Sequence, residues 1–340
     1  MSTGMSSDQI IKYEIMDKVN RFPNITLRIF PDSSNEDQKL VQNGGLTFSY
    51  DGIDYGSCDA GWFEVKTING RQVEIPLIGL EGTDALNRGS SGDAQYQRFH
   101  HALGAVKNGF IGIYYLRKGE SKMQLDLLEM AYNATMHEPG GGTYLIIQDL
   151  SIVNNILTLI CKYGRNSLRV NNYLNDCVKK MHDLWYKEKF SKYKYNWRIF
   201  AEKRSTLLFK DCIIKYAGRM RRNFTDGSQR AGHIAVGEMY LSKYLFFGRK
   251  IYYLCPRMNQ ADVAYLDKHK SNDKEWTLLR GEKNVFYVTR DDLIGLPTEI
   301  MKAFESISDK PLKGEALAIY NFSIKQMVAG LKNGSIKLKR

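Results

Sequence analysis

The residues best suited to chemistry are two acids in apolar segments. Asp59 stands at the start of residues 58–65, and Glu81 lies towards the end of residues 73–83. A carboxylate in such surroundings is costly unless it binds a metal or joins a hydrogen-bond network. Two carboxylates on paired strands can converge on one divalent cation, and oxygen ligands suit Mg²⁺. Because a metal held in this way activates water and neutralises developing charge, Asp59 and Glu81 are the first candidates for phosphodiester hydrolysis.

The elements that must position these acids form a predicted α/β unit. Both apolar segments are predicted strands, and a Gly/Ser turn follows at residues 87–92. A helix is predicted to begin near Asp93, and a third apolar strand spans residues 110–116. Neighbouring helix positions face different directions, so His100 and His101 are not expected to serve one site together. The order of elements predicts a mixed central sheet flanked by helices.

This order resembles the core of the PD-(D/E)xK nuclease superfamily, and most closely the type II restriction endonucleases. The likeness is carried by Asp59, residues 76–83 (PLIGLEGT), the helix of residues 93–101 and the strand of residues 110–116. It covers residues 45–120. The resemblance implies a mixed sheet flanked by helices, metal-binding carboxylates on a β-hairpin, and Mg²⁺-dependent cutting of DNA that leaves 5′-phosphate and 3′-hydroxyl ends.

The sequence departs from the family pattern at two places. No proline precedes Asp59, and Thr83 stands where the family carries a lysine. Alternate residues of a strand share a face, so that lysine would lie beside Glu81. The role is therefore expected to pass to another residue. Lys66 on the neighbouring strand is the first candidate, and Gln95 is the second, because some family members carry a functional glutamine on this helix.

A rival assignment of the acids is open. Residues 64–66 form a literal Glu-Val-Lys, and Asp51 or Asp54 would then supply the first acid. The pair Asp59 and Glu81 is preferred because residues 75–80 have the continuous apolar character of a buried central strand. Glu64 and Lys66 would then line the same cleft. The plain alternative is that Glu64, Lys66 and Glu81 are ordinary solvated strand residues.

The chain as a whole is basic. Its 340 residues include 49 Lys and Arg against 37 Asp and Glu, which gives a formal net charge of +12. Such a balance favours phosphate-rich partners, here double-stranded DNA, although a basic enzyme without a polyanionic partner is the alternative. The hydrophobic share of 43% and charged share of 25% are typical of a globular protein.

Five cysteines without a CxxC pair predict reduced thiols and neither a disulfide scaffold nor a zinc ribbon. Residues 1–8 lack the apolar core of a signal peptide. No apolar run reaches the length of a membrane span. These features predict a cytoplasmic protein without a membrane partner.

The length predicts about two domains. Residues 1–150 are assigned to the nuclease-like core, and residues 151–340 to a helical linker followed by a DNA-recognition α/β region. In that second part, strands are predicted at residues 234–237, 250–254 and 284–288. A helix is predicted over residues 299–332.

Two segments carry the predicted DNA contacts. Residues 187–198 alternate cations with aromatics, which suits a nucleic-acid backbone, and an amphipathic helix is an equal alternative. Residues 219–238 combine arginines with amide side chains, which match the edges of guanine and adenine, and a solvated basic loop is the alternative. The predicted DNA-binding residues are Arg88, Arg98, Lys194, Arg198, Arg221, Arg222, Asn223, Gln229, Arg230 and His233.

The sequence thus favours a Mg²⁺-dependent, sequence-specific DNA endonuclease of restriction type. A palindromic target would favour a homodimer, since protein and DNA would share two-fold symmetry. A repair or structure-specific nuclease of the same fold is one alternative. A non-catalytic DNA-binding protein on a decayed nuclease core is another, and the lysine missing at Thr83 is its best argument.

Overall fold

The protein forms two compact units, Met1–Ser191 and Lys192–Arg340. The computed structural model describes residues 6–29, 46–87, 95–204, 206–209, 212–216, 233–255, 258–269, 274–294, 329–330, 333–335 and 337–338.

The first unit is built on a mixed sheet of five strands in the order β1-β4-β5-β6-β7. Strands β1, β4 and β5 are antiparallel neighbours, whereas β5, β6 and β7 are parallel. Strands β2 and β3 form a separate two-stranded sheet. In chain order the elements are α1 (Ser7–Lys18), β1 (Ile25–Ile29), β2 (Leu46–Tyr50), β3 (Ile53–Cys58), β4 (Ala60–Ile68), β5 (Arg71–Thr83), α2 (Phe99–Lys107), β6 (Ile111–Leu116), α3 (Asp126–His137), β7 (Thr143–Ile147), α4 (Ser151–Tyr163) and α5 (Leu168–Glu188).

A two-residue turn sets the register of the hairpin that carries both predicted metal ligands. Asn69 and Gly70 join β4 to β5 with φ angles of 49° and 76°. Positive φ at both central positions is the mark of the hairpin turn that Asn-Gly favours. The resulting pairing runs from Ile68 opposite Arg71 to Ala60 opposite Leu80. Asp59 and Glu81 therefore meet at the end of the hairpin furthest from the turn.

Helices α1 and α2 approach the sheet so closely that only glycine fits beneath them. A Cβ atom on Gly82 would lie 2.3 Å from Cγ2 of Ile11 in α1. A Cβ atom on Gly112 in β6 would lie 2.2 Å from the carbonyl oxygen of Ala102 in α2. Ile11 and Ala102 are fully buried. These contacts hold both helices close to the strands that carry the carboxylates.

The boundary between the units lies after Ser191, whereas the sequence prediction placed it at residue 150. The reason is packing, because α5 lies against α3 and β7 of the first unit. Nε1 of the buried Trp185 donates a hydrogen bond of 2.9 Å to Oδ1 of Asp126. The two helices α4 and α5 thus complete the first unit and do not form a linker.

The second unit contains a sheet in the order β11-β10-β9-β8. Strands β9, β10 and β11 are parallel, and β8 pairs with β9 in the antiparallel sense. Its elements are α6 (Trp197–Glu202), β8 (Thr206–Phe209), β9 (Cys212–Tyr216), α7 (His233–Leu245), β10 (Lys250–Cys255), α8 (Gln260–Lys268), α9 (Lys274–Gly281), β11 (Val285–Thr289), β12 (Leu293–Ile294) and β13 (Lys337–Leu338).

The predicted fold class, a mixed α/β protein with a central sheet flanked by helices, is confirmed. The predicted strands at residues 250–254 and 284–288 correspond to β10 and β11, but the one at residues 234–237 is wrong. That run belongs to α7, because so short an apolar run does not separate a strand from a buried helix turn. Most of the helix predicted at residues 299–332 lies outside the described residues. No helix within the described ranges is long and apolar enough to cross a membrane.

Candidate active site

The hairpin brings Asp59 and Glu81 together. Asp59 directly precedes Ala60, which pairs with Leu80, and Glu81 follows Leu80 on β5. The amide of Gly82 donates a hydrogen bond of 2.8 Å to Oδ2 of Asp59. Asp59 is 7% exposed and Glu81 is 1% exposed. The preferred pair of the sequence analysis is thus a pair of buried, neighbouring carboxylates.

The two carboxylates repel each other in a site that is shielded from water. Burial raises the pKa of Asp59 well above its ordinary value, and the charge of Glu81 raises it further. The hydrogen bond from Gly82 and the charge of Arg98 oppose this shift. A cation between the carboxylates would relieve the repulsion, so the electrostatics favour a positively charged ligand.

Two side chains near the start of α2 lie against the carboxylate of Glu81. Nη1 of Arg98 lies 3.1 Å from Oε1 of Glu81 and 3.2 Å from Oδ1 of Asp8. Nδ1 of His101 lies 3.0 Å from Oε2 of Glu81. Burial lowers the pKa of Arg98, but the charges of Glu81, Asp8 and Asp59 outweigh it and raise that pKa overall. Arg98 therefore bridges a carboxylate of the sheet to one of α1.

The ring of His101 packs closely against Gly56 in β3. Gly56 has a φ of 91°, and a Cβ atom there would lie 2.7 Å from Cδ2 of the His101 ring. Only glycine combines this backbone angle with so close an approach. His100 is buried and Nδ1 of His101 faces Glu81. The two imidazole rings nevertheless touch edge to face, with their centroids 4.3 Å apart, so the expectation that they do not serve one site stays a prediction.

Lys12 is a buried cation near the site that the sequence analysis did not single out. It is 5% exposed on the buried face of α1, beside Ile11, which packs on Gly82. It makes no hydrogen bond or ion pair with any residue in the described ranges. The sequence contained one sign of this buried cation, because Lys12 lies on the face of α1 that also contains the apolar residues Ile11 and Ile15.

The structure places Lys66 far from the carboxylates, which corrects the first candidate for the family lysine. Lys66 pairs with Val73 near the turn of the hairpin, and Glu81 lies towards the other end of β5. At about 3.3 Å per strand residue, the backbones of Lys66 and Glu81 are more than about 20 Å apart. Nζ of Lys66 lies 3.0 Å from Oε2 of Glu64, so both are partly exposed residues of an ion pair outside the site.

Gln95 does not support the second candidate role. Its Nε2 donates a hydrogen bond of 3.2 Å to the carbonyl of Lys122, and its Oε1 accepts one of 2.8 Å from the amide of Gln124. The residue is 2% exposed. Because both ends of its amide are bound to the backbone of one loop, Gln95 fixes that loop and does not face the carboxylates.

The acids of the rival assignment lie on different sheets. Asp54 lies in β3, and its Oδ1 accepts a hydrogen bond of 2.7 Å from the amide of Gly56. Asp51 lies in the turn between β2 and β3 with a φ of 52°. Glu64 pairs with Ile75 in the middle of the β4–β5 hairpin. The β2–β3 sheet and that hairpin belong to separate sheets, so geometry favours Asp59 and Glu81.

The predicted DNA-binding residues fall into four groups. Arg98 lies in the carboxylate site, whereas Lys194 and Arg198 are exposed. The first residue of α7 is His233, whose side chain is outside the described part. The remaining predictions lie outside the described residues: Arg88, Arg221, Arg222, Asn223, Gln229 and Arg230.

The segment of residues 187–198 is not one amphipathic helix. Helix α5 ends at Glu188, a short 3₁₀ turn spans Phe190–Tyr193, and Asn196 caps α6. Lys194 and Tyr195 adopt φ angles of 51° and 55° between them. This backbone leaves Tyr195 and Trp197 exposed by 49% and 39%. We call Lys192, Lys194, Tyr195, Trp197 and Arg198 the cation–aromatic patch.

The donor set of the site fits Mg²⁺. Proteins hold Mg²⁺ through one or two carboxylates and leave the other positions to water and substrate phosphate. Asp59 and Glu81 supply those carboxylates, and burial of both favours a compensating cation. Within the described ranges no group of three or more His, Cys, Asp and Glu residues is arranged to hold a metal.

No protein-family model matches the chain, and neither the search of curated proteins nor the search of solved structures finds a match.

The raised pKa of Asp59 gives a prediction about stability. A folded-state pKa above the ordinary 3.8 means that the folded protein holds a proton that the unfolded chain has released. The stability from this proton is present at low pH and is lost as pH rises through the folded pKa. Asp59→Asn removes the effect and keeps an acceptor for Gly82. We expect the free energy of unfolding of Asp59→Asn to increase relative to that of the wild type as pH rises.

The measurement is urea unfolding of both proteins without divalent cations over a series of pH values. A difference in unfolding free energy between the two proteins that is the same at every pH would contradict a raised pKa of Asp59.

Proposed function

We propose that this protein is a Mg²⁺-dependent, sequence-specific double-strand DNA endonuclease of the PD-(D/E)xK type. The observation that carries the proposal is the buried pair of Asp59 and Glu81 at one end of a β-hairpin. Its setting supports it, because the hairpin is followed by α2 and by the parallel strand β6. That is the order of elements on which the resemblance to restriction endonucleases rests.

In this proposal Asp59 and Glu81 hold the metal, which supplies an activated water and neutralises charge on the phosphate. Arg98 holds Glu81 in place by a hydrogen bond to Oε1, and His101 lies beside Oε2. The hydrogen bond from Gly82 fixes the carboxylate of Asp59. Preorganisation of this kind lowers the cost of arranging charge during the reaction. The products would carry 5′-phosphate and 3′-hydroxyl ends.

The cation–aromatic patch supports DNA as the partner. Its exposed rings lie among lysines and an arginine on a chain of net charge +12. Backbone in the left-handed region costs about 1–2 kcal/mol for a residue other than glycine, and such costs cluster at functional sites. Lys194 and Tyr195 both carry it. The patch would grip phosphates with its cations and sugars or bases with its rings.

Two further parts of the proposal follow from the target. A palindromic site would be cut by a homodimer, whose symmetry matches that of the DNA. A restriction enzyme meets DNA in the cytoplasm, which is the compartment proposed here.

The test of function is incubation of supercoiled plasmid with the protein and Mg²⁺, followed by gel electrophoresis. Discrete fragments are the expected result. A smear would favour a repair or structure-specific nuclease of the same fold. Unchanged plasmid, with DNA binding that does not depend on Mg²⁺, would favour a non-catalytic DNA-binding protein.

Trp197→Ala is expected to weaken DNA binding about tenfold, because stacking of a base or sugar on an aromatic ring contributes about 1–3 kcal/mol. Fluorescence anisotropy with labelled duplex measures the affinity. Phe286→Ala is the matched control, since Phe286 is 40% exposed on β11 of the same unit. Equal affinities of the two variants would exclude the patch from the DNA interface.

Intrinsic fluorescence gives a second reading of the same contact. The other tryptophans, Trp62, Trp185 and Trp276, are at most 1% exposed. Quenching of wild-type emission by DNA therefore reports on Trp197, and emission that DNA leaves unchanged would argue against contact.

A further inference from the structure

Lys12 is a buried lysine of α1 that pairs with no residue in the described ranges. The residue is 5% exposed, and its ammonium has neither a hydrogen bond nor an ion pair with the residues the structure describes. A lysine that is largely shielded from water and has no partner destabilises the folded protein. Lysine stems often pack along apolar surface while the charge reaches water. A fixed anion that arrives with the substrate would supply the missing partner.

Helix geometry directs Lys12 towards the carboxylate site. Asp8 precedes Lys12 by one helical turn, so the two side chains lie on the same face of α1. Side chains of a helix lean towards its N-terminus, which points Lys12 at the turn that holds Asp8. Asp8 is joined to Arg98, and Arg98 is joined to Glu81. The neighbour of Lys12, Ile11, packs on Gly82, between Glu81 and Thr83.

The net charge of the site with a bound metal matches one phosphodiester. Once Asp59 has lost its proton, Asp8, Asp59 and Glu81 supply three negative charges, and Arg98 and Lys12 supply two positive ones. A bound divalent cation would turn this balance to one net positive charge, which matches the single negative charge of a phosphodiester. Without Lys12 the loaded site would be neutral towards its substrate.

We infer that Lys12 binds the scissile phosphate and takes the role that the family lysine would have at Thr83. This inference rests on the proposed function. The ammonium keeps its proton throughout and neutralises charge on a phosphoryl oxygen. Water attacks phosphorus and releases one proton to solvent, the bond from phosphorus to the 3′ oxygen breaks, and that oxygen takes up a proton from solvent. The lysine would thus come from α1, beside the hairpin, instead of from the strand itself.

The test compares Lys12→Met, Lys12→Arg and a matched control, Lys18→Met. Methionine keeps an unbranched stem without charge, and Lys18 is an exposed lysine of the same helix that pairs with Glu14. Three quantities are measured: the melting temperature without DNA, the affinity for duplex DNA in Ca²⁺, and the rate of single-turnover cleavage in Mg²⁺.

Lys12→Met is expected to melt at or above the wild-type temperature, because it replaces a largely buried lysine, which pairs with no described residue, by an uncharged side chain. Its affinity in Ca²⁺ should fall about tenfold, the usual cost of losing a hydrogen bond to a charged group. Its cleavage rate should fall about 100-fold, as for loss of one stabilising donor. Lys12→Arg should recover part of both, and Lys18→Met should resemble the wild type.

A lower melting temperature with unchanged affinity in Ca²⁺ would overturn the inference and make Lys12 a packing residue. Equal affinities of Lys12→Met and wild type would overturn it at any melting temperature. If the wild type does not cut DNA, the proposed function fails. The affinity in Ca²⁺ then still decides whether Lys12 binds a phosphate of DNA.

Discussion

Replacing Asp59 or Glu81 with alanine is expected to abolish DNA cleavage in Mg²⁺ while DNA binding is retained. Each change removes a ligand of the proposed metal, which stabilises the transition state by several kcal/mol. Since each 1.36 kcal/mol is tenfold in rate, the loss should be about 10³-fold or more. Most of the affinity comes from phosphate contacts outside the site and should remain. Single-turnover cleavage and anisotropy binding measure the two quantities.

The control for this experiment is Glu64→Ala, because Glu64 is an acid of the same hairpin that lies away from the carboxylate pair. It should cut at close to the wild-type rate. Full activity in Asp59→Ala or Glu81→Ala would remove the proposed ligands from the mechanism. Loss of activity in Glu64→Ala alone would restore the rival assignment of the acids.

Removing the charge of Arg98 is expected to destabilise the protein unless a divalent cation is present. Arg98→Met removes the guanidinium that pairs with Glu81, which is 1% exposed. Breaking a buried ion pair costs about 3–5 kcal/mol. Because the Arg98 side chain is 40% exposed, we expect a smaller loss of about 1–3 kcal/mol. Mg²⁺ should restore much of it by taking the place of the guanidinium.

Urea unfolding in EDTA and in Mg²⁺ measures this effect. The control is Arg28→Met, which breaks the ion pair of Arg28 with Glu74 outside the site and should not respond to Mg²⁺. The double variant Arg98→Met with Glu81→Gln should be more stable in EDTA than Arg98→Met alone, since it lacks the carboxylate charge that Arg98 compensates. The same loss in EDTA and in Mg²⁺ would contradict a shared cation site.

The sequence could predict the hairpin and its acids, because local signals specify both. Asn69 and Gly70 mark the turn, and the apolar run before Glu81 marks a buried strand. The same turn signal also excludes Lys66. In an antiparallel hairpin, residues close to the turn lie far from residues at the open end. Lys66 is close to the turn, so a place on the adjacent strand did not bring it near Glu81.

The partners contributed by other elements could not be predicted from local patterns. Asp8 and Lys12 lie on α1, far from Glu81 in the chain, and only the packing of Ile11 on Gly82 brings them to the hairpin. Gln95 has the residue type expected at its position, but the backbone of one loop binds both ends of its amide. Sequence patterns indicate the face on which a residue lies, and its partners depend on tertiary packing.

The central claim is that Asp59 and Glu81 hold a metal ion. Its most direct test is to measure, by electron paramagnetic resonance, Mn²⁺ binding to the wild type, Asp59→Asn and Glu81→Gln. Mn²⁺ accepts the same carboxylate and water ligands as Mg²⁺ and has a signal when free in solution. If Asp59 and Glu81 hold the metal, the wild type binds an ion that both variants fail to bind. Equal binding by all three proteins would contradict a metal site at these carboxylates.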